Sequence, residues 1–160
     1  MKKLMMKQKL LILAAAALLL FTGCGKSSSK DITVDTAALA KELNESAVTS
    51  DTLTQTQSTM FSQIYFVDED ALAGGAAYMS SGATACEVAV IECKSADQTG
   101  DVEKLFQQRV DNQSSLYASY NAGEVDKLEN AIIKSAGKYV VLCVCDDTEA
   151  AETILKNYGF

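Results

Sequence analysis

The chain opens with Lys2, Lys3, Lys7 and Lys9, then runs uncharged and apolar from Leu10 to Phe21, and closes this stretch with Thr22-Gly23-Cys24. No other feature constrains the fold as strongly, because it takes the first residues out of it. A basic segment, an apolar run of about 7–15 residues and a small-residue cleavage point together describe an export signal. The run is shorter than the roughly 20 apolar residues that span a bilayer as a helix. The lysines hold the N-terminus on the cytoplasmic side while the following chain is exported.

The end of this segment resembles a lipobox, in which a cysteine thiol takes a diacylglyceryl group and a peptidase then cuts before it. Cys24 is the candidate lipid-attachment residue and Gly23 the residue before the cut. Phe21 stands where Leu is usual. The competing readings are a plain secreted protein, or an uncleaved anchor in which Cys24 is incidental. Two or three acyl chains hold a domain stably where one does not. Three regions follow: a signal at 1–23, a flexible tether at 24–33, and a single domain at 34–160. Gly25 to Lys30 is polar, and at about 3.3–3.6 Å per residue it keeps the domain within a few tens of Å of the bilayer. The expected location is the extracytoplasmic face of the cell membrane, with membrane lipid as the first partner through Cys24.

Of the 14 Lys and Arg residues four lie in the signal, which leaves ten against 21 Asp and Glu, a net charge of −11. An acidic body of this kind is repelled by nucleic acid and by anionic headgroups. Attachment to the membrane must then be covalent, and no nucleic-acid partner is expected. Histidine is absent, which removes Ser-His and Cys-His nucleophile pairs and imidazole metal ligands. No cofactor and no metal are expected.

Four cysteines follow Cys24: Cys86, Cys93, Cys143 and Cys145, all inside apolar strand-like runs. Exported chains can carry disulfides. Cys143 and Cys145 share a strand face and sit poorly for bonding each other. Three readings stand open for the four: buried free thiols acting as small hydrophobes, a cross-strand disulfide, or a thiol-based redox or soft-metal site.

Along the chain, Asp35 caps a first helix, with Val34 and Leu39 placed as a hydrophobic staple and Ala38, Leu39 and Leu43 as its buried stripe. Residues 48–59 read mostly as loop. Met60 to Val67 forms an apolar patch, and Asp68 caps a short turn that Gly74-Gly75 ends. From Ala76 the period becomes two: Ala77 to Ser80 is a strand, Ser81-Gly82 a turn, and Ala85 to Cys93 a second strand, apolar on both faces. Ser95 and Gln98 form a capping box for a long helix to about Ser119, with Val102, Leu105, Phe106, Val110, Tyr117 and Tyr120 on its stripe. Ala131 to Ser135 and Lys138 to Cys145 form a hairpin about Ala136-Gly137. Asp146 and Glu149 frame the start of a last helix. Hairpins alternating with helices predict an α+β fold, an antiparallel sheet of about four strands with helices on one face.

The candidate sites are few. Two acidic groups, Asp68-Glu69-Asp70 and Asp146-Asp147 with Glu149 and Glu152, offer oxygens for a hard cation but lack the spacing of a calcium loop, and helix capping accounts for them. Ser80 to Thr84, with Ser81 and Gly82 at its tip, is a hairpin turn whose amides could face an anion or a peptide. Tyr117 and Tyr120 share the long helix with Arg109, the only arginine in the chain. A groove of these residues suits a carboxylate or a glycan, but a core-edge stripe with hydroxyls reaching water is the better account of the tyrosines. Arg109 falls on the apolar side of its helix, which makes it the best candidate for a specific ion pair. A hydrolase would need a carboxylate pair or a Ser–Lys pair converging in a pocket.

Ser80-Ser81-Gly82-Ala83-Thr84-Ala85 with its strand, the segment Arg109 to Lys138, Tyr120-Asn121, Lys127 to Ala131 and Gly137-Lys138-Tyr139 together resemble a family of small bacterial lipoproteins. That family is known only as a domain of unknown function, common in anaerobic Gram-positive bacteria. The resemblance covers most of 34–160. It implies an anchored extracytoplasmic domain and carries no catalytic residues. The four strand cysteines are not part of the family pattern, and the pattern places a proline after the position of Asn121. The expectation is a non-enzymatic, lipid-anchored α+β domain that binds a partner or ligand near the membrane, an envelope or membrane protein being one candidate, with a thiol-based redox or soft-metal protein as the alternative.

Overall fold

In a computed structural model the residues described are 32–48 and 50–160. The signal, Gly23, Cys24 and the tether as far as Asp31 lie outside them.

The fold is α+β, an antiparallel sheet of five strands. α1 (Thr36–Ser46) leads into β1 (Thr54–Thr56), α2 (Phe61–Ile64), β2 (Leu72–Met79) and β3 (Glu87–Cys93). The long α3 (Thr99–Tyr120), α4 (Val125–Glu129), the hairpin β4 (Ile132–Ala136) and β5 (Tyr139–Val144), and α5 (Thr148–Tyr158) complete the chain. In space the order is β1-β2-β3-β5-β4, so β5 inserts between β3 and β4.

Local chemistry explains most boundaries. The Asp35 carboxylate accepts from the amides of Ala37 and Ala38 and starts α1. Ser95 and Gln98 make the expected capping box ahead of α3. The β4–β5 turn is Gly137-Lys138, with Gly137 at φ +56°, the residue type that a II′-like turn requires at its first position. The last helix starts one residue later than its sequence suggests. Asp147 is the cap, accepting from the Ala150 amide, whereas Asp146 turns to Lys127.

Three further differences concern the sheet. β1 is a fifth strand within the stretch read as loop; three residues of Thr and Gln carry no apolar alternation to reveal it. Gly74 and Gly75 lie inside β2 and end no helix. A Cβ on Gly75 would sit 2.6 Å from the Val90 carbonyl oxygen and 2.8 Å from Phe61 Cε2, so glycine is needed there for close approach.

Helices also cover both faces of the sheet, where a single helical layer was expected. On one face Val88, Val90, Val141 and Cys143 meet Leu39, Leu43, Ala151 and Leu155 of α1 and α5. On the other Ala89, Ile91, Val140 and Leu142 meet Phe61, Tyr65, Val102, Phe106 and Val110 of α2, α3 and the turn between α2 and β2. The cause is in the central strands. β5 is buried along its whole length and β3 nearly so, so a single layer would leave the second apolar face in water. Each Val, Ile or Leu so covered contributes about 1.5–3 kcal/mol. Among the described residues no helix is long and apolar enough to cross a membrane.

Candidate functional site

Arg109 lies on the buried stripe of α3, between Phe106 and Val110, and must find a partner there. It finds Glu87, the first residue of β3, whose side chain points to the α3 face like those of Ala89 and Ile91. The Arg109 Nε–H is shared between the two carboxylate oxygens at 2.8 and 2.9 Å. Glu87 is 5% exposed. Burial works against the guanidinium charge, but the hydrogen bond and the charge of Glu87 outweigh it and hold Arg109 above its ordinary pKa.

An aromatic wall backs this pair. The Arg109 Cζ lies 5.3 Å from the centre of the Tyr65 ring, within cation–π range. Tyr65 in turn packs edge-on against Phe61 and Phe106. Its hydroxyl is buried and has no partner in hydrogen-bond geometry, yet burial first and the nearby Glu87 charge second push its pKa well up.

Arg109 also lines a groove of about 210 Å³ on the outer side of α3. Ile64, Phe66, Leu105 and Leu116 give it apolar walls, and Gln108, Asn112 and Gln113 give it amides. Phe66 is 73% and Leu116 55% exposed. Phe66 is also the one non-glycine with positive φ among the described residues, at +59°. That conformation costs an L-residue roughly 1–2 kcal/mol. An aromatic side chain held out in water on strained backbone satisfies no local stability rule. A larger depression of about 420 Å³ runs along α5 past Asp147 and Glu149, but its walls hold no buried charge.

The other candidate residues assemble at the end of α3. Tyr117 donates its hydroxyl hydrogen to the Thr84 carbonyl, with Gly82 O at 3.5 Å, and its ring lies 4.9 Å from that of Tyr120. The Ser80–Thr84 turn is tied down internally. Ser80 Oγ accepts from the amides of Gly82 and Thr84, each at 3.1 Å, so those two amides are committed within the turn. Ser81 and Gly82 are exposed at its tip. The sequence grouping of Arg109 with the two tyrosines therefore divides. Tyr117, Tyr120 and Gly82 form a turn clamp, while Arg109 belongs to Glu87 and the groove.

Beyond the clamp lies a polar knot. Lys127 Nζ is 3.0 Å from Glu124 Oε2, 2.7 Å from Asp146 Oδ1, 3.2 Å from Ser50 Oγ and 3.9 Å from Cys86 Sγ. Burial opposes the Lys127 charge, but Asp146 and Glu124 prevail and raise its pKa. Burial likewise raises the Cys86 thiol. A Ser–Lys pair does converge here, but a lysine base must be neutral, and this one is held cationic. In this arrangement Lys127 neutralises carboxylates and ties the loop before β1 to α4 and the end of β5.

The acidic groups resolve as caps and pairs. Asp68 accepts from the Asp70 amide, Glu69 from the Ser62 hydroxyl, and Glu152 pairs with Lys134. Among the described residues no group of three or more Cys, Asp or Glu is placed to hold a metal ion. All four strand cysteines are buried free thiols; Cys86, Cys143 and Cys145 lie on the α1/α5 face and Cys93 on the other.

The model of the domain-of-unknown-function family DUF4358 matches residues 26–145. The chain belongs to that family. No curated protein and no solved structure matches it. The DUF4358 match takes in all five strands and both halves of the Arg109–Glu87 pair. It stops before α5, which nevertheless packs into the same core through Ala151, Ile154 and Leu155.

Sequence reasoning reached Arg109 but missed Glu87, Tyr65, Phe66 and Lys127. Glu87 had a readable signal: a carboxylate inside an apolar strand, in a chain whose single arginine sits in an apolar helix stripe. Phe66 had none, since φ and exposure are set by how α2 ends.

Proposed function

We propose that this DUF4358 chain is a non-enzymatic binding domain, lipid-anchored through Cys24 on the extracytoplasmic face of the cell membrane. Its partner is a segment of an envelope or membrane protein that presents an apolar side chain and a carboxylate to the groove beside Phe66. One observation carries this reading: Phe66, strained and 73% exposed, borders the groove that Arg109 lines.

The chemistry of the occupant follows from the lining. Phe66, Leu105 and Leu116 ask for an apolar group, and the amides of Gln108, Asn112 and Gln113 suit a peptide backbone. No carboxylate lines the groove of this otherwise acidic protein. Glu87 engages only the Nε–H of Arg109, and among the described residues no hydrogen bond is made by the two terminal nitrogens. Those are the atoms with which arginine grips a carboxylate. Ile32, Tyr158 and Phe160 pack against the α1/α5 core, on the face of the sheet opposite the groove. Nucleic acid is no part of this reading, and neither is a cofactor. The thiol-based redox or soft-metal alternative finds less support, because Cys93 faces away from the other three.

A photocrosslinking side chain at Gln113 in intact cells tests the proposal. An ultraviolet-dependent adduct with a membrane or envelope protein, competed by an excess of the unlabelled domain, is expected. Labelled, membrane-bound protein that yields no adduct argues against it.

A further inference from the structure

The sheet register places two of the thiols opposite each other. β3 and β5 pair antiparallel from Glu92↔Tyr139 to Glu87↔Val144 without a break. Carried one residue beyond the last pair, the same register sets Cys86 opposite Cys145, and both side chains lie in the α1/α5 core.

The kind of pairing follows from two backbone hydrogen bonds. Along a strand, successive residues direct their N–H and C=O groups to opposite neighbours. The Cys93 amide donates to the Lys138 carbonyl at 2.8 Å, toward β5, whereas the Cys86 carbonyl accepts from the Ser80 amide at 3.2 Å, toward β2. The two cysteines are seven positions apart, an odd number that reverses the direction, so the alternation and the observed bonds agree. Cys86 and Cys145 therefore occupy a non-hydrogen-bonded position, where Cα atoms approach to about 4.5 Å and side chains are closest. This lies inside the roughly 4.4–6.8 Å window of a disulfide.

We propose that Cys86 and Cys145 are the two halves of a cross-strand disulfide, formed when the chain meets an oxidising thiol–disulfide couple. Cys143 has Val88 and no thiol across the strand pair. Its neighbour Cys145 is on its own strand, where i and i+2 sit poorly for a bond, and Cys93 is on the other face of the sheet. The reaction is a pair of exchanges. The Cys145 thiolate attacks a small-molecule disulfide, forms a mixed disulfide and expels one thiolate, which takes up the Cys145 proton. Cys86, as thiolate, attacks the Cys145 sulfur and expels the second. The two protein thiols lose two electrons and two protons, and the reagent becomes two thiols. A hydrogen bond from Cys143 favours the Cys145 thiolate by lowering its pKa against the effect of burial. The bond would clamp the start of β3 to the end of β5 beneath the Lys127 knot, whose Nζ lies 3.9 Å from Cys86 Sγ. This inference does not depend on the groove.

The test uses the full chain, both kept folded and refolded from urea, in a mixture of reduced and oxidised glutathione, followed by alkylation and peptide mapping. A Cys86–Cys145 linked peptide is expected, lost in Cys145→Ala and kept in Cys93→Ala. Reduction with dithiothreitol is expected to lower Tm by roughly 10 °C, since the bond closes a loop of about 60 residues. Refolding removes any barrier from burial, so recovery of both residues as alkylated thiols overturns the proposal. A link mapped through Cys93 or Cys143 overturns it equally.

Discussion

Arg109 shares its Nε–H between both carboxylate oxygens of Glu87, at 2.8 and 2.9 Å, and so joins the middle of α3 to the first residue of β3. Both side chains are largely buried, 15% and 7% exposed. Removing one partner strands the other charge in the core. Arg109→Met is expected to cost about 3–5 kcal/mol, while the double variant Arg109→Met/Glu87→Leu falls much closer to wild type. Urea denaturation of both variants measures the difference, and equal losses would mean that the pair is not coupled.

Gly75→Ala tests the close approach of β2 to its antiparallel neighbour β3 and to Phe61. The added methyl would meet the Val90 carbonyl at 2.6 Å, and backbone cannot swing aside as a side chain can. A loss of about 2–3 kcal/mol is expected, read as a lower urea midpoint with an unchanged slope.

The Lys127 knot predicts how stability responds to acid. Burial alone would raise the Asp146 pKa, but Lys127 and Ser50 hold the carboxyl well below its ordinary value. Asp51, hydrogen-bonded to Ser80 and Thr84, is lowered as well. A depressed folded-state pKa contributes stability that is present above the unfolded value, about pH 4, and is lost as pH falls through the folded one. Lys127 is raised, so its contribution is present below about pH 10 and is lost only in stronger base. Between roughly pH 5 and 9 neither group changes charge, and the knot contributes evenly. Asp146→Asn is expected to cost about 1–2 kcal/mol at pH 7 and to shallow the fall below pH 4. Thermal melts at pH 3, 5 and 7 check both.

Cys24→Ala tests the anchor by itself. It is expected to release the protein from the membrane fraction or to leave it as an unprocessed precursor, as read by fractionation and by labelled-lipid incorporation. Unchanged acylation and processing would refute the assignment.

How far the sequence reached is explained by the range of the signals. Asp35, the Ser95–Gln98 box and Gly137 act on their near neighbours, and each marks its element correctly. The period of two in Ala85 to Cys93 identified a strand, but its apolar character on both sides was not carried through to the second helical layer that it requires. β1 stayed hidden because an edge strand of Thr and Gln is held by backbone pairing to β2 and by no pattern of its own. The site was half legible. Arg109 was conspicuous as the lone arginine in an apolar stripe, but its division from Tyr117 and Tyr120 depends on where β3 begins against α3. The left-handed turn at Phe66 depends on how the short α2 stops, and no spacing rule records that.

Phe66 separates stability from binding, and so bears most directly on the central claim. Asn tolerates left-handed backbone better than Phe does. Phe66→Asn is expected to stabilise the folded domain by about 1 kcal/mol while removing the aromatic wall of the groove. The decisive measurement is the yield of the Gln113 photocrosslink in intact cells, wild type against Phe66→Asn, with the urea midpoint of each protein measured alongside. The account predicts an equal or higher midpoint together with a loss of most of the adduct. An adduct of undiminished yield from the stabler variant would contradict it.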